Sequence, residues 1–382
     1  MEMSSPKKIR RHRSREEKRQ LREDTNEETQ DTQKVQTQEE EKVVKAKVKR
    51  RFGVGLDIGT SFINRATIDD DDDIDIRTQR DAFFDIENDK FARNMLTTNN
   101  ANYIVSDDSK LLYVIGQEAI NFANVFKREV RRPLHKGVIS TREPEALLMI
   151  KTIITNILGK PVTENEVCQF SVPAEPIDAD YNIIYHRNIL QSFVESAGYK
   201  AVPINEARAV CYSELDDDGF TGLAISFGAG MVNVSLTYMG AGSIEFSLSR
   251  AGDWIDENAA KAIGERATKM VAVKEAGLDL LKPKDRYEES ISIFYRNFIA
   301  YVVKKFEQKL SQTEDIPEFP EPITIILAGG TSLVKSFDVV FKQEIDKIKL
   351  PFRIKEIKLA EDQLFAVAKG CLYSALSEYE DE

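Results

Sequence analysis

A short apolar strand, a glycine turn and a second apolar strand occur twice in this chain. The first copy is Phe52–Ile58, Gly59-Thr60-Ser61, Phe62–Ile68; the second is Gly222–Phe227, Gly228-Ala229-Gly230, Met231–Tyr238. Near-continuous apolar runs bounded by glycine read as strands buried on both faces. Each copy is followed by strands and helices in similar order. After the first come a helical spacing at Glu143–Leu158, a strand Val167–Val172 stopped by Pro173, and a helix Asn182–Ala197 ended by Gly198. A short strand near Ala201–Pro203 then leads to a helix from Glu206. After the second copy come a mostly helical stretch over 253–310, the prolines Pro317, Pro320 and Pro322, and a strand Ile323–Leu327. The turn Gly329-Gly330-Thr331 and a last helix Asp362–Leu376 follow. Such a repeat predicts an α/β protein of two similar lobes with a cleft between them.

With 382 residues, the chain is long enough for two or three domains and a sizeable core. No uninterrupted apolar run reaches the roughly 18–20 residues that span a bilayer, so no transmembrane helix is expected. Charge stands at the N-terminus where a secretory signal needs an apolar stretch, so export is not expected and a cytoplasmic location is. Cys168, Cys211 and Cys371 lie far apart in apolar contexts and read as buried thiols, and His12, His135 and His186 lack ligand spacing.

The net charge of −11 hides an asymmetry: residues 1–51 carry 16 Lys/Arg against 11 Asp/Glu, and the remainder 37 against 53. So acidic a body repels phosphate, and no specific nucleic acid is expected as a partner. Residues 1–51 contain no aromatic residue and predict a disordered, charged tail. Its first block, residues 1–22, holds Lys7, Lys8, Arg10, Arg11, Arg13, Arg15, Lys18, Arg19 and Arg22. That block is the candidate for an anionic partner or a membrane surface, although it has no apolar face. A solubilising tail is the plainer reading.

A glycine turn between two strands presents backbone N–H groups that have no ladder partners, and glycine lets an anion approach closely. Two such turns from opposing lobes can grip a polyphosphate from both sides. Asp57 stands at the end of the first strand, where a buried carboxylate is costly unless paired, and a hydrated Mg²⁺ is a natural partner. GxxxxGK[ST] is absent, and Gly53-Val54-Gly55 precedes a strand rather than opening a helix, so neither a P-loop nor a dinucleotide fingerprint is indicated. The Asp69–Asp73 run reads as a solvated turn rather than a metal site.

Asp57-Ile58-Gly59-Thr60, Gly228-Ala229-Gly230 and Leu327-Ala328-Gly329-Gly330-Thr331 resemble, in order, the two phosphate motifs and the adenosine motif of the actin-like ATPase superfamily. Three further stretches resemble the MreB proteins within it. They are Arg132-Pro133-Leu134-His135-Lys136-Gly137-Val138-Ile139, Ala251-Gly252-Asp253-Trp254-Ile255-Asp256 and Ala360-Glu361-Asp362-Gln363-Leu364. The resemblance runs from Gly53 to Gly370. It implies an α/β, actin-like fold: two RNase H-like lobes, each with a small subdomain, around a nucleotide cleft. The lobes would be 52–215 plus 358–382, with a small subdomain about 79–135, and 216–357, with a small subdomain about 253–317.

Carried over by resemblance, Asp57 faces Mg²⁺ through water, and Gly59, Thr60, Ser61, Ser226, Gly228, Ala229 and Gly230 line the phosphates of ATP or ADP. Lys274 and Glu275 stand at the ribose and base, Gly329, Gly330 and Thr331 close around the adenosine, and Glu206 orients the attacking water. There are departures. Ser226 stands where the second phosphate motif has an aspartate, Met231 and Val232 where it has threonines, and Ala207 where a proline follows the glutamate. Loss of one electrostatic group from such a site commonly slows chemistry by about 10²–10³. The resemblance therefore implies nucleotide binding with slow or absent hydrolysis in a head-to-tail filament of the kind that serves bacterial cell shape. The alternatives are a non-polymerising actin-fold adaptor and, with less support, a small-molecule kinase.

Overall fold

A computed structural model of the chain describes residues 52–123, 125–314 and 316–378; the expected tail at 1–51 lies outside the described residues. The chain opens with β1 (Val54–Ile58), β2 (Phe62–Ile68) and β3 (Ile74–Arg80), an antiparallel meander. The Asp69–Asp73 run is the turn between β2 and β3, where Asp69 Oδ1 accepts the amides of Asp71 and Asp73. Next comes a small antiparallel sheet of β4 (Phe83–Glu87), β5 (Tyr103–Val105) and β6 (Leu111–Ile115), with α1 (Lys90–Thr98) and α2 (Gln117–Ala123). Asp89 caps α1 by accepting the Ala92 amide. A two-residue-strand hairpin, β7 (Leu134–His135) and β8 (Val138–Ile139), leads to α3 (Ala146–Leu158), β9 (Val167–Val172), α4 (Ile183–Ser196), β10 (Lys200–Asn205) and α5 (Glu206–Glu214). Asn182 caps α4, and Asn205 caps α5 by accepting the amides of Ala207 and Arg208.

The second half repeats the plan with β11 (Gly222–Phe227), β12 (Val232–Tyr238) and β13 (Ala241–Leu248). The stretch expected to be helical is three helices: α6 (Gly252–Ile263), α7 (Ala267–Glu275) and α8 (Arg286–Ser311). Gly264 ends α6 at φ 69°, and Asp285 starts α8 by accepting the amides of Tyr287 and Glu288. Then follow β14 (Ile323–Ala328), a 3₁₀ turn at Gly330–Leu333, α9 (Phe337–Ile345), β15 (Ile354–Leu359) and α10 (Ala366–Ser377).

The two large sheets have one topology. Their strand orders are β3-β2-β1-β9-β10 and β13-β12-β11-β14-β15, in each case three antiparallel strands continued by two parallel ones. Leu56, Phe170, Ile150 and Leu190 join the first sheet to α3 and α4. In the second, Phe227 packs edge-on to Phe298, Phe337 and Phe341. Burying each such side chain contributes about 1.5–3 kcal/mol.

Between the sheets lie α5, on β11 and β12, and α10, on β1 and β9. The two helices cross where a Cβ at Gly370 would stand 1.7 Å from the Ala209 carbonyl oxygen. At Gly55, a Cβ would stand 2.2 Å from the Ala368 oxygen, so α10 rests directly on the backbone of β1. This close stacking fixes the strand ends that carry the glycine turns. Among the described residues, no helix is long and apolar enough to cross a membrane.

Candidate functional site

Both glycine turns are closed in the same way. The Gly59 amide donates to Phe62 O at 3.0 Å, and the Gly228 amide to Met231 O at 2.9 Å. Among the described residues, the amides of Thr60, Ser61, Ala229 and Gly230 at the two tips donate to no protein acceptor. The tips meet. A Cβ on Gly230 would stand 2.3 Å from both Thr60 Oγ1 and the Gly137 nitrogen, and the Gly137 amide donates to Thr60 Oγ1 at 3.1 Å. Gly137, at φ 75°, lies against the side chain of Met231, so the loop after β7 is held between the two turns.

Two carboxyls stand behind the tips. Asp57 is buried at the end of β1; its Oδ2 accepts from Asn64 Nδ2 at 3.1 Å and its Oδ1 from Ser171 Oγ at 3.0 Å. Glu206, the first residue of α5, reaches the other sheet. Its Oε1 accepts from Ser226 Oγ at 2.8 Å and its Oε2 from Asn233 Nδ2 at 2.7 Å. Burial raises Glu206 to about 8, helped by the charge of Asp57, and burial raises Asp57 to about 6. Two buried carboxyls side by side, each raised by burial and partnered only by neutral donors, fit a site that receives a cation. Among the described residues no group of three or more His, Cys, Asp or Glu could hold a metal ion alone.

Behind the second turn, the start of α6 is bound to its backbone. The Gly252 amide donates to Gly228 O at 3.1 Å, the Asp253 amide to Ala229 O at 2.8 Å, and Thr331 Oγ1 to Gly228 O at 2.8 Å. Gly252 has no room for a side chain, since a Cβ would stand 2.4 Å from Thr331 Oγ1. Gly329, at φ 90°, presses on Phe227, and Gly330 opens the 3₁₀ turn beside it. The predicted phosphate and adenosine turns thus stand together. Lys274 Nζ meets Asp256 Oδ2 at 2.6 Å, and Glu275 meets Arg80 at 3.6 Å. Burial raises Asp256 to about 6 in spite of that ammonium.

Sequence reading missed Asn64, Ser171, Asn233, Arg132 and Asp253 as site residues. Arg132 reaches from the first half of the chain to Asp253, with contacts of 3.0–3.2 Å, and approaches Ser61 Oγ at 3.4 Å. A signal existed for the asparagines. Asn64 follows Asp57 at the same interval as Asn233 follows Ser226, and the pairs face each other in the two ladders.

Comparison with known proteins agrees with this architecture. The family model described as Volactin matches residues 52–375. A MamK double helical filament has a TM-score of 0.65 at 18% identity, covering 87% of this chain and 99% of the other. MreB 5 of Spiroplasma citri bound to AMPPNP has a TM-score of 0.62 at 16% identity, covering 87% and 98%. The ADP-bound form of that protein has a TM-score of 0.58 at 18% identity, covering 87% and 99%. No curated protein matches the chain significantly. At these identities the likeness shows the fold, which is actin-like with MreB-like relatives.

Proposed function

The chain belongs to the Volactin family, and from that premise we propose that it is an actin-like, nucleotide-binding cytoskeletal protein forming head-to-tail filaments under ATP control. One observation carries this reading: two glycine turns, from two sheets of the same topology, meet tip to tip with their outer amides open. Amides so arranged suit the oxygens of a polyphosphate, one turn from each side. AMPPNP and ADP in the MreB 5 structures and the filament of MamK support the same reading.

In this reading Gly59, Thr60, Ser61, Gly228, Ala229 and Gly230 bind phosphate, and Gly329, Gly330 and Thr331 flank the adenosine. Asp57 would hold Mg²⁺ through water, and the ion would supply positive charge to the phosphates. Closing the cleft sets the angle between the lobes and so shapes a head-to-tail contact that can propagate. Glu206 is the water-orienting candidate. Both of its oxygens are already taken by Ser226 and Asn233, and Ser226 stands where the second phosphate motif has an aspartate, so the site lacks one electrostatic group. Hydrolysis is accordingly slow or lost.

Pelleting and electron microscopy with ATP, ADP or no nucleotide test this, using the whole chain and a form lacking residues 1–51. Nucleotide-dependent filaments are expected. Absence of assembly in every condition, with calorimetric binding of Mg·ATP retained, would favour the non-polymerising adaptor, which Ser226 in place of an aspartate also suits. The truncation further tests whether the basic block recruits an anionic partner or membrane surface in a cytoplasmic setting.

A further inference from the structure

The β7–β8 hairpin is fixed at its base and at its tip. Buried Asp81 Oδ2 accepts the Leu134 amide at 3.1 Å, and buried His186 Nδ1 accepts the Ile139 amide at 3.3 Å. His135 pairs with Val138, so Lys136 and Gly137 form a two-residue turn, with φ 51° and 75°. Positive φ at both central residues is the type I′ turn, which favours Asn-Gly; lysine enters that region less readily. The tip touches both glycine turns. The Gly137 amide donates to Thr60 Oγ1, and a Cβ on Gly230 would stand 3.0 Å from the Lys136 carbonyl carbon. Lys136 is exposed, and among the described residues its ammonium has no carboxylate partner, whereas nearby Arg132 is already paired with Asp253. A lysine kept at an unfavourable turn position, against two turns with open amides and without a counter-charge, is placed for an anion.

Resting on the nucleotide reading above, we propose that Lys136 contacts the outermost phosphate of the bound nucleotide and makes the cleft favour Mg·ATP over Mg·ADP. The order of contacts supplies the direction. Thr331, of the adenosine turn, holds Gly228 O at the root of the second glycine turn; Gly230, two residues on, meets Thr60 and the hairpin. A polyphosphate that starts beside Thr331 and follows the second turn therefore ends at Lys136. Gly137 has given its amide to Thr60, so what the hairpin adds is the lysine charge, a compact ammonium on a four-carbon stem. Asp81 and His186 hold the base of the hairpin, so that stem starts from a fixed point before the ligand arrives.

Calorimetry with Mg·ATP and Mg·ADP tests this on the whole chain, beside Lys136→Asn and Lys136→Arg, with melting curves as the check on folding. Asparagine suits a left-handed position followed by glycine, so Lys136→Asn should melt no lower than the wild type. It should bind Mg·ATP about 10- to 30-fold more weakly, the scale of one charge-assisted hydrogen bond, and Mg·ADP within about threefold of the wild type. Lys136→Arg keeps the charge and should keep the preference for ATP to within about threefold. A purely structural lysine would instead alter melting or weaken both nucleotides alike. If Lys136→Asn leaves ATP binding unchanged, or weakens ATP and ADP equally, the phosphate-reading role is wrong while the nucleotide reading stands. If the wild type binds neither nucleotide, both fall.

Discussion

Asp57 is the next-to-last residue of β1, opposite Asn64 on β2, and Ser226 the next-to-last of β11, opposite Asn233 on β12. In the first hairpin the asparagine amide donates to the aspartate of the same hairpin. In the second there is no such carboxylate, and both the Asn233 amide and the Ser226 hydroxyl donate instead to Glu206, which α5 brings in from outside. Each hairpin is thus served by one carboxyl, its own in the first case and a borrowed one in the second. The two halves share a topology but divide the chemistry. The donors of one half hold an acid that stands at the start of a helix crossing against α10.

The tips are also unequal. Ser61 in the first turn has the place that Gly230 has in the second, and only Gly230 is pressed on both Thr60 and Gly137. Making the second turn like the first, by Gly230→Ser, should cost about 3 kcal/mol in urea unfolding and remove the calorimetric heat with Mg·ATP. Ser61→Gly should change stability by no more than about 1 kcal/mol. Equal effects of the two exchanges would dissolve the asymmetry.

Restoring an acid to the second hairpin is the next test. Ser226→Asp sets a third carboxyl beside Glu206, so without cation the protein should lose about 1–3 kcal/mol. With Mg·ATP, phosphate release should rise by about 10²–10³, the scale of regaining one electrostatic group. No rise would mean that the serine is not what limits turnover.

The borrowed acid should show in the pH dependence. Glu206 and Asp57 are both raised in the folded state, to about 8 and about 6, so folding takes up protons. Their contribution is full below the ordinary carboxyl range and is lost as pH rises through these values. Asp81, raised to about 8 by burial, acts in the same direction, so the mutant difference is the cleaner measure. Glu206→Gln should flatten the fall in stability between about pH 5 and pH 8 by on the order of 1–2 kcal/mol, less than full conversion because Glu206 is partly open to solvent. An unchanged slope would place an ionised glutamate there.

The hairpins themselves were legible because their strands are buried on both faces and so read as apolar runs broken by glycine. What was not legible depends on pairing at long range. Ser171 reaches Asp57 only because β9 lies parallel beside β1, and nothing local marks it. β3, with the sequence IDIRTQR, and β15, with IKEIKL, are edge strands that carry charge and lack a continuous apolar run. The small sheet escaped for another reason: β5 has three residues, too few to establish a period. Glu206 could be found by resemblance, but not that its partners would be Ser226 and Asn233.

Arg132 and Asp253 should give the smallest effect, and they bear most directly on whether the halves act as jaws. The guanidinium joins the neighbourhood of Ser61 to the helix whose first amides hold Gly228 and Ala229. The pair is 38% and 23% exposed, so its coupling in the absence of nucleotide should be no more than about 0.5–1 kcal/mol. Lysine cannot reproduce the two-nitrogen contact, so Arg132→Lys should lose most of it. A double-mutant cycle of Arg132→Ala and Asp253→Ala, run with and without Mg·ATP, separates two cases. A tie that merely decorates the surface couples equally in both. If nucleotide draws the hairpins together, the coupling grows when the cleft is filled, because the pair is then held in one geometry and shielded from solvent.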